Sequence, residues 1–169
     1  MDPVCFLDVA RALLLPGGPG ETRTAISRAY YAAHHFSAAI LRGLDLVLPS
    51  DQVGRRPGDD HVFVQICWLH SGDGEVARVG GQLANLRADR TRADYRLDDP
   101  DPEDPDVARY CVELADRMIR RLMGVFEDER RCQRVGATLR ALEGDGTIEA
   151  LLRERTRGAG DTEEVTQRR

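Results

Sequence analysis

The chain contains no lysine, and all 24 of its basic residues are arginine. A planar guanidinium fork favours recognition of carboxylate or phosphate over simple point-charge attraction, although genomic composition can produce the same bias. Apolar runs are short as well. None approaches the ~20 residues that a membrane span requires. The four cysteines, Cys5, Cys67, Cys111 and Cys132, lie tens of residues apart and never at the paired spacing of zinc sites. They are expected to be buried free thiols, with no metal, cofactor or disulfide role. Also missing are a G-x-x-x-x-G-K-[ST] loop, a G-x-G-x-x-G turn, H-E-x-x-H and G-x-S-x-G, so ATP-binding, dinucleotide, zincin and nucleophile-elbow chemistries lose their main support. Excess positive charge is absent too. The formal net charge of −5 argues against a broadly basic, sequence-indifferent nucleic-acid binder but leaves room for a local basic patch. The opening Met1-Asp2-Pro3 carries an acid where a secretory signal carries basic residues, so a cytoplasmic location is expected.

What is present fits one ordinary globular domain. The chain has 169 residues, 41% of them hydrophobic and 31% charged, enough for a single core. Val4, Leu7, Ala10, Arg11 and Leu14 fall at helical spacing, and Pro16 to Gly20 ends that helix. From Glu21 to about Leu48 an apolar series runs Ile26, Ala29, Tyr30, Ala33, Phe36, Ile40, Leu44, Val47, with alanines at 29, 32, 33, 38 and 39 that let a neighbouring helix approach. Residues 49 to 58 read as a loop. A shorter helix capped by Asp59 or Asp60 points Val62, Ile66 and Leu69 inward and ends at Ser71-Gly72-Asp73-Gly74. A fourth helix, from Glu75 to Tyr95, has the inward series Val76, Val79, Leu83, Leu86, Arg90, Ala93 and, past its end, Leu97. Residues 98 to 105 form a rigid, acidic, proline-rich connector that no helix crosses. Asp106 caps a helix with Val107, Cys111, Leu114, Met118, Leu122 and Val125 inward. Its pattern continues through Cys132, Val135, Leu139 and Leu142, with Gly124 and Gly136 as weak points. A short helix from Thr147 to Arg155 and a disordered tail over 156–169 complete the chain. The expectation is an all-α, up-and-down bundle of five to six helices with two long antiparallel helices, one domain over residues 1–155.

Some polar residues interrupt this pattern. Arg90 lies in an apolar seam, where a lone guanidinium is costly, so it needs a partner, a cleft or an interface. Arg87, Arg90 and Asp94 share one edge of their helix as a compact charged cluster. Ser27, Tyr31, His34 and Ala38 form a ridge on the second helix. His34 is expected to be a hydrogen-bonded boundary residue and His35 a surface one; His61 makes a cap or local contact, and His70 sits at the negative end of a helix dipole.

Thr24-Ala25-Ile26-Ser27-Arg28-Ala29-Tyr30-Tyr31-Ala32-Ala33, together with Leu86-Arg87-Ala88-Asp89-Arg90-Thr91-Arg92-Ala93-Asp94-Tyr95 and a histidine opening the intervening helix, His61, resembles the HEPN superfamily, in particular its small stand-alone prokaryotic members. The resemblance covers roughly residues 20 to 125. It implies a helical bundle that usually dimerises, with arginine-bearing helices facing each other across a shared cleft. Many such proteins are metal-independent ribonucleases of toxin–antitoxin, CRISPR and antiviral defence systems, using an R-x4-6-H motif. Counting from Arg90, the histidine should fall at 95 to 97, where Tyr95, Arg96 and Leu97 stand; from Arg87 the window holds Arg92, Ala93 and Asp94. The histidine is absent in either register, and an unperturbed tyrosine or arginine does not switch protonation near pH 7.

Three readings follow. The first is a binding or regulatory homodimer of a prokaryotic defence or toxin–antitoxin system, in which Arg87 and Arg90, with Tyr31 and His34 nearby, contact RNA or a partner such as a nucleotidyltransferase. The second is a divergent endoribonuclease with Arg90, Asp94 and Tyr95 as its candidate catalytic residues, or with His34 recruited. The third is a structural helical dimer whose arginine cluster fixes the interface.

Overall fold

Periodicity near 3.6 residues over most of the chain leaves helices as the only way to bury its apolar positions. The computed structural model describes residues 2–15, 17–53 and 58–155, and among these it contains seven α-helices and no strand. They are α1 Val4–Leu13, α2 Pro19–Gly43, α3 Asp59–Leu69, α4 Gly74–Tyr95, α5 Pro105–Glu127, α6 Glu129–Gly144 and α7, residues 147–155. Short 3-10 turns cover Pro49–Asp51 and Asp101–Glu103. The all-α bundle is as expected. The pattern that ran on past α5 is cut at Asp128, whose carboxylate accepts from the backbone N–H groups of Arg130 and Arg131 and caps α6. Neither Gly124 nor Gly136 breaks a helix.

α2 is the central element and packs against α1, α4 and α5. Ala25, Ala29, Ala32, Ala33 and Ala38 are all buried, so its neighbours approach the backbone from several sides. α2 and α4 run antiparallel, since contacts step from Arg23 with Ala93, through Ser27 with Asp94, to Tyr31 with Arg90. α3 lies against α4, where Gly80 faces Trp68 and Leu69. α3 is buried on most of its surface, with Phe63 through Trp68 all inside, so Val62 and Leu69 are only part-buried.

Several boundaries differ from the sequence reading. α2 ends at Gly43 rather than near Leu48, because Asp45 takes a left-handed conformation at φ 66° and Leu46 donates its N–H back to the Leu41 carbonyl. Asp59 and Asp60 occupy the first turn of α3 without capping it, and Asp60 instead accepts from the Ser50 N–H at 2.7 Å. Asp104, not Asp106, caps α5. Leu97, expected inside, is exposed at 76%. The cysteines are free, but only Cys67 and Cys111 are buried; Cys5 is exposed and Cys132 part-buried. Residues 54–57 of the expected loop and the tail 156–169 lie outside the described residues.

Candidate functional site

The C-terminal half of α4, the middle of α2 and the start of α3 meet in a cluster of arginine, tyrosine and histidine. Arg90 is held there by two tyrosines and an aspartate. Its guanidinium donates to the Tyr31 hydroxyl at 2.8 Å and the Tyr95 hydroxyl at 3.3 Å, and lies 5.3 and 5.2 Å from the two ring centroids. Its Nε sits 2.7 Å from Asp94 Oδ2 as an ion pair, with the N–H direction missing the carboxylate. Burial works against this charge, yet Tyr31, Asp94 and Tyr95 outweigh burial and the net shift is upward. Asp94 also accepts a long hydrogen bond, 3.4 Å, from the Ser27 hydroxyl. The seam arginine therefore has its partners.

Arg87 does not. One turn earlier on the same helix and only part-exposed, its guanidinium makes no hydrogen bond or ion pair among the described residues, including none with Asp94. The charged cluster read from sequence thus splits into a closed Arg90–Asp94 pair and an open Arg87.

Histidines lie beside this open charge. The Tyr30 ring is fully buried, and its hydroxyl lies 2.7 Å from His61 Nδ1. Burial raises the Tyr30 pKa, so the phenol keeps its proton. Assigning that proton to Nδ1 satisfies both groups of the contact. His61 is pushed down to about 4, first by burial and then by Arg87 and Arg90, with Asp60 partly opposing. A neutral imidazole accepting at Nδ1 carries its own proton on Nε2, so His61 offers a donor. His34 stacks on Tyr30 with centroids 5.7 Å apart and lies 4.4 Å from the His61 ring. Only 4% exposed, it is driven down to about 3 by burial and then by the charges of His61, His35, Arg87 and Arg42. Its Nδ1 is buried without a partner. The expected hydrogen-bonded boundary histidine is therefore a sealed one. His35 is exposed as expected, stacked on Tyr31 and close to Phe6. His70, also exposed, follows the last residue of α3.

Among the described residues, arginine lines two of the surface grooves. The first, about 440 Å³, runs between α3 and α4 and is lined by Gln65, Ala84, Arg87, Ala88, Thr91, Arg92 and Arg96. No carboxylate lines it. The second, about 450 Å³, lies where α5 turns into α6, and there Arg117, Arg120 and Arg131 are all ion-paired, to Glu113, Asp116 and the Asp73–Glu75 pair, with Arg121 the remaining basic residue. Among the described residues the first groove holds two arginines without a carboxylate partner, Arg87 and Arg96, and the second holds one.

The acidic connector also has a definite place. Arg23, 9% exposed, donates to the carbonyls of Ala93, Arg96 and Asp99 and to the Glu103 carboxylate. Arg92 forks onto Asp99 and Asp101, each at 2.7 Å. The connector is thereby folded back on the end of α4. Sequence reasoning missed Arg23, Tyr30 as a polar group, and His61 as a member of the cluster. Arg23 had a signal: it lies three residues before Ile26 and seven before Tyr30, inside the apolar series.

Among the described residues no group of three or more His, Cys, Asp or Glu side chains is placed to hold a metal ion, and no helix is long and apolar enough to cross a membrane. Comparison with protein-family models, with curated proteins and with solved structures finds no match for this chain.

Proposed function

We propose that the chain is a HEPN-type binding or regulatory protein, a homodimer of a prokaryotic defence or toxin–antitoxin system, that engages the phosphates of RNA or a nucleotide-handling partner protein. The observation that carries this reading is Arg87, a part-buried guanidinium without an acceptor beside two neutral histidines. A charge left in that condition gains from an anionic ligand. Arg90, Tyr31, Asp94 and Tyr95 then position the helices and shape the rim. Binding is favoured over cleavage because His34 is buried and the Nδ1 of His61 is occupied by the Tyr30 hydroxyl. Exposed Tyr95, at 68%, and Leu97 at the same end of α4 supply apolar surface for a second copy.

The test is a mixed RNA pool incubated with purified protein in EDTA, followed for both retention and shortening. Wild type should retain RNA without shortening it, and Arg87→Gln should weaken retention by roughly tenfold, the usual scale for a charge-assisted contact. Time-dependent shortening abolished by Arg90→Ala would establish the nuclease instead. RNA indifference together with a dimer that Arg90→Ala dissociates, read by sedimentation, would leave the structural dimer.

A further inference from the structure

We propose that the groove between α3 and α4 is a site for a terminal phosphoryl group, a dianion with three unesterified oxygens, rather than for the interior of a phosphodiester chain. This rests on the reading of Arg87 as an anion contact and specifies which anion it takes.

The groove's unfilled polar groups are donors. Arg87 has five N–H donors and no acceptor. Gln65, 4% exposed, lines the groove and has a buried amide nitrogen with no hydrogen-bond partner. Thr91 already spends its hydroxyl proton on the Arg87 carbonyl, at 2.9 Å, so it adds no competing demand. A ligand that fits must bring acceptors only. Donors arriving from two helices suit a group with three outward oxygens better than a planar carboxylate with two.

Charge narrows the choice further. Arg92 is more than neutralised at the groove's end by Asp89, Asp99 and Asp101, whereas the guanidiniums of Arg87 and Arg96 have no carboxylate partner among the described residues. These two unpaired guanidiniums suit a phosphate monoester, which carries about −1.5 to −2 at pH 7 and presents three free oxygens, better than the two free oxygens and single charge of a diester. Beyond α4 the acidic connector reaches the groove's end through Asp99 and Asp101, both held by Arg92. A chain of phosphates continuing in that direction meets repulsion; a chain end does not.

The experiment titrates the full chain with phenyl phosphate, with methyl phenyl phosphate, and with one oligonucleotide in 5′-phosphorylated and 5′-hydroxyl forms. Arg87→Gln, Arg96→Gln and a control, Arg121→Gln in the other groove, are titrated alongside, each first checked for an unchanged thermal melt. Phenyl phosphate should bind at least roughly tenfold more tightly than the diester, and Arg87→Gln and Arg96→Gln should each lose about that factor while Arg121→Gln loses none. A matching preference for the 5′-phosphorylated oligonucleotide assigns the group to a strand end; monoester binding without it assigns a small phosphorylated molecule. Equal binding of monoester and diester, an equal loss in Arg121→Gln, or no saturation by about 10 mM phenyl phosphate, a Kd too weak for any built site, overturns the proposal. RNA retention that depends on Arg87 but ignores the strand end would overturn this inference while leaving the binding reading standing.

Discussion

Single side chains in this protein fall into those whose polar atoms are all engaged and those left open. Arg23 is the fullest case of the first kind. One guanidinium terminates α4 by taking two of its late carbonyls, holds the Asp99 carbonyl, and pairs with Glu103. Removing it strands buried acceptors as well as a carboxylate. Arg23→Ala is therefore expected to cost roughly 2–4 kcal/mol, read as a fall in the urea midpoint with an unchanged slope, and Arg23→Lys should recover little because an ammonium cannot span the same acceptors. Part of the cluster was legible from sequence. Arg90 with Asp94 follows from i,i+4 spacing on one helix, and an arginine in an apolar seam announces a partner. The Tyr30–His61 bond was not legible, because it joins residues 31 apart on different helices and Tyr30 looks like any other core aromatic.

Between elements, α3 approaches the backbone of α4 closely at Gly80. A Cβ there would lie 2.9 Å from the Leu69 nitrogen and 3.0 Å from Trp68 Cβ, and a backbone nitrogen does not swing aside. Gly80→Ala should cost about 1–3 kcal/mol through overpacking. The adjacent Gly81 has nothing within 4 Å of its added carbon, so Gly81→Ala should instead stabilise the helix by about 0.5–1 kcal/mol. Opposite shifts in thermal midpoint from neighbouring glycines would establish the packing; shifts of the same sign would refute it. The helices themselves were readable because apolar residues recur by threes and fours. The end of α2 was misread because Leu44, Leu46 and Leu48 are buried while Asp45 and Val47 are exposed. That is the alternation of an extended segment, and Leu44 and Val47 alone mimic another helical turn. The break at Asp128 hid for a different reason: a cap works through backbone N–H groups and leaves the apolar spacing on either side intact.

At the scale of the whole molecule, stability should depend on pH in a window set by its buried imidazoles. His34 and His61 titrate near 3 and 4 in the folded protein against 6.5 for an unperturbed histidine, chiefly because burial disfavours the charged ring. The unfolded chain then binds more protons than the folded one wherever the pH lies below that ordinary value. Their contribution is complete above about pH 6.5, declines as the pH falls, and is gone once the folded values of about 4 and then 3 are passed. Urea midpoints measured from pH 7 to 4.5 should fall steadily, and His34→Leu should remove about one proton from the slope; an unaltered slope would mean His34 is charged when folded. The same experiment has a convenient optical readout. Trp68, the single tryptophan, is wholly buried where α3 meets α4, with its indole nitrogen unbonded and the Phe126 ring 5.8 Å away. The protein carries its own fluorophore at the Gly80 contact between α3 and α4, so loosening of α3 will change emission colour before circular dichroism records any loss of helix.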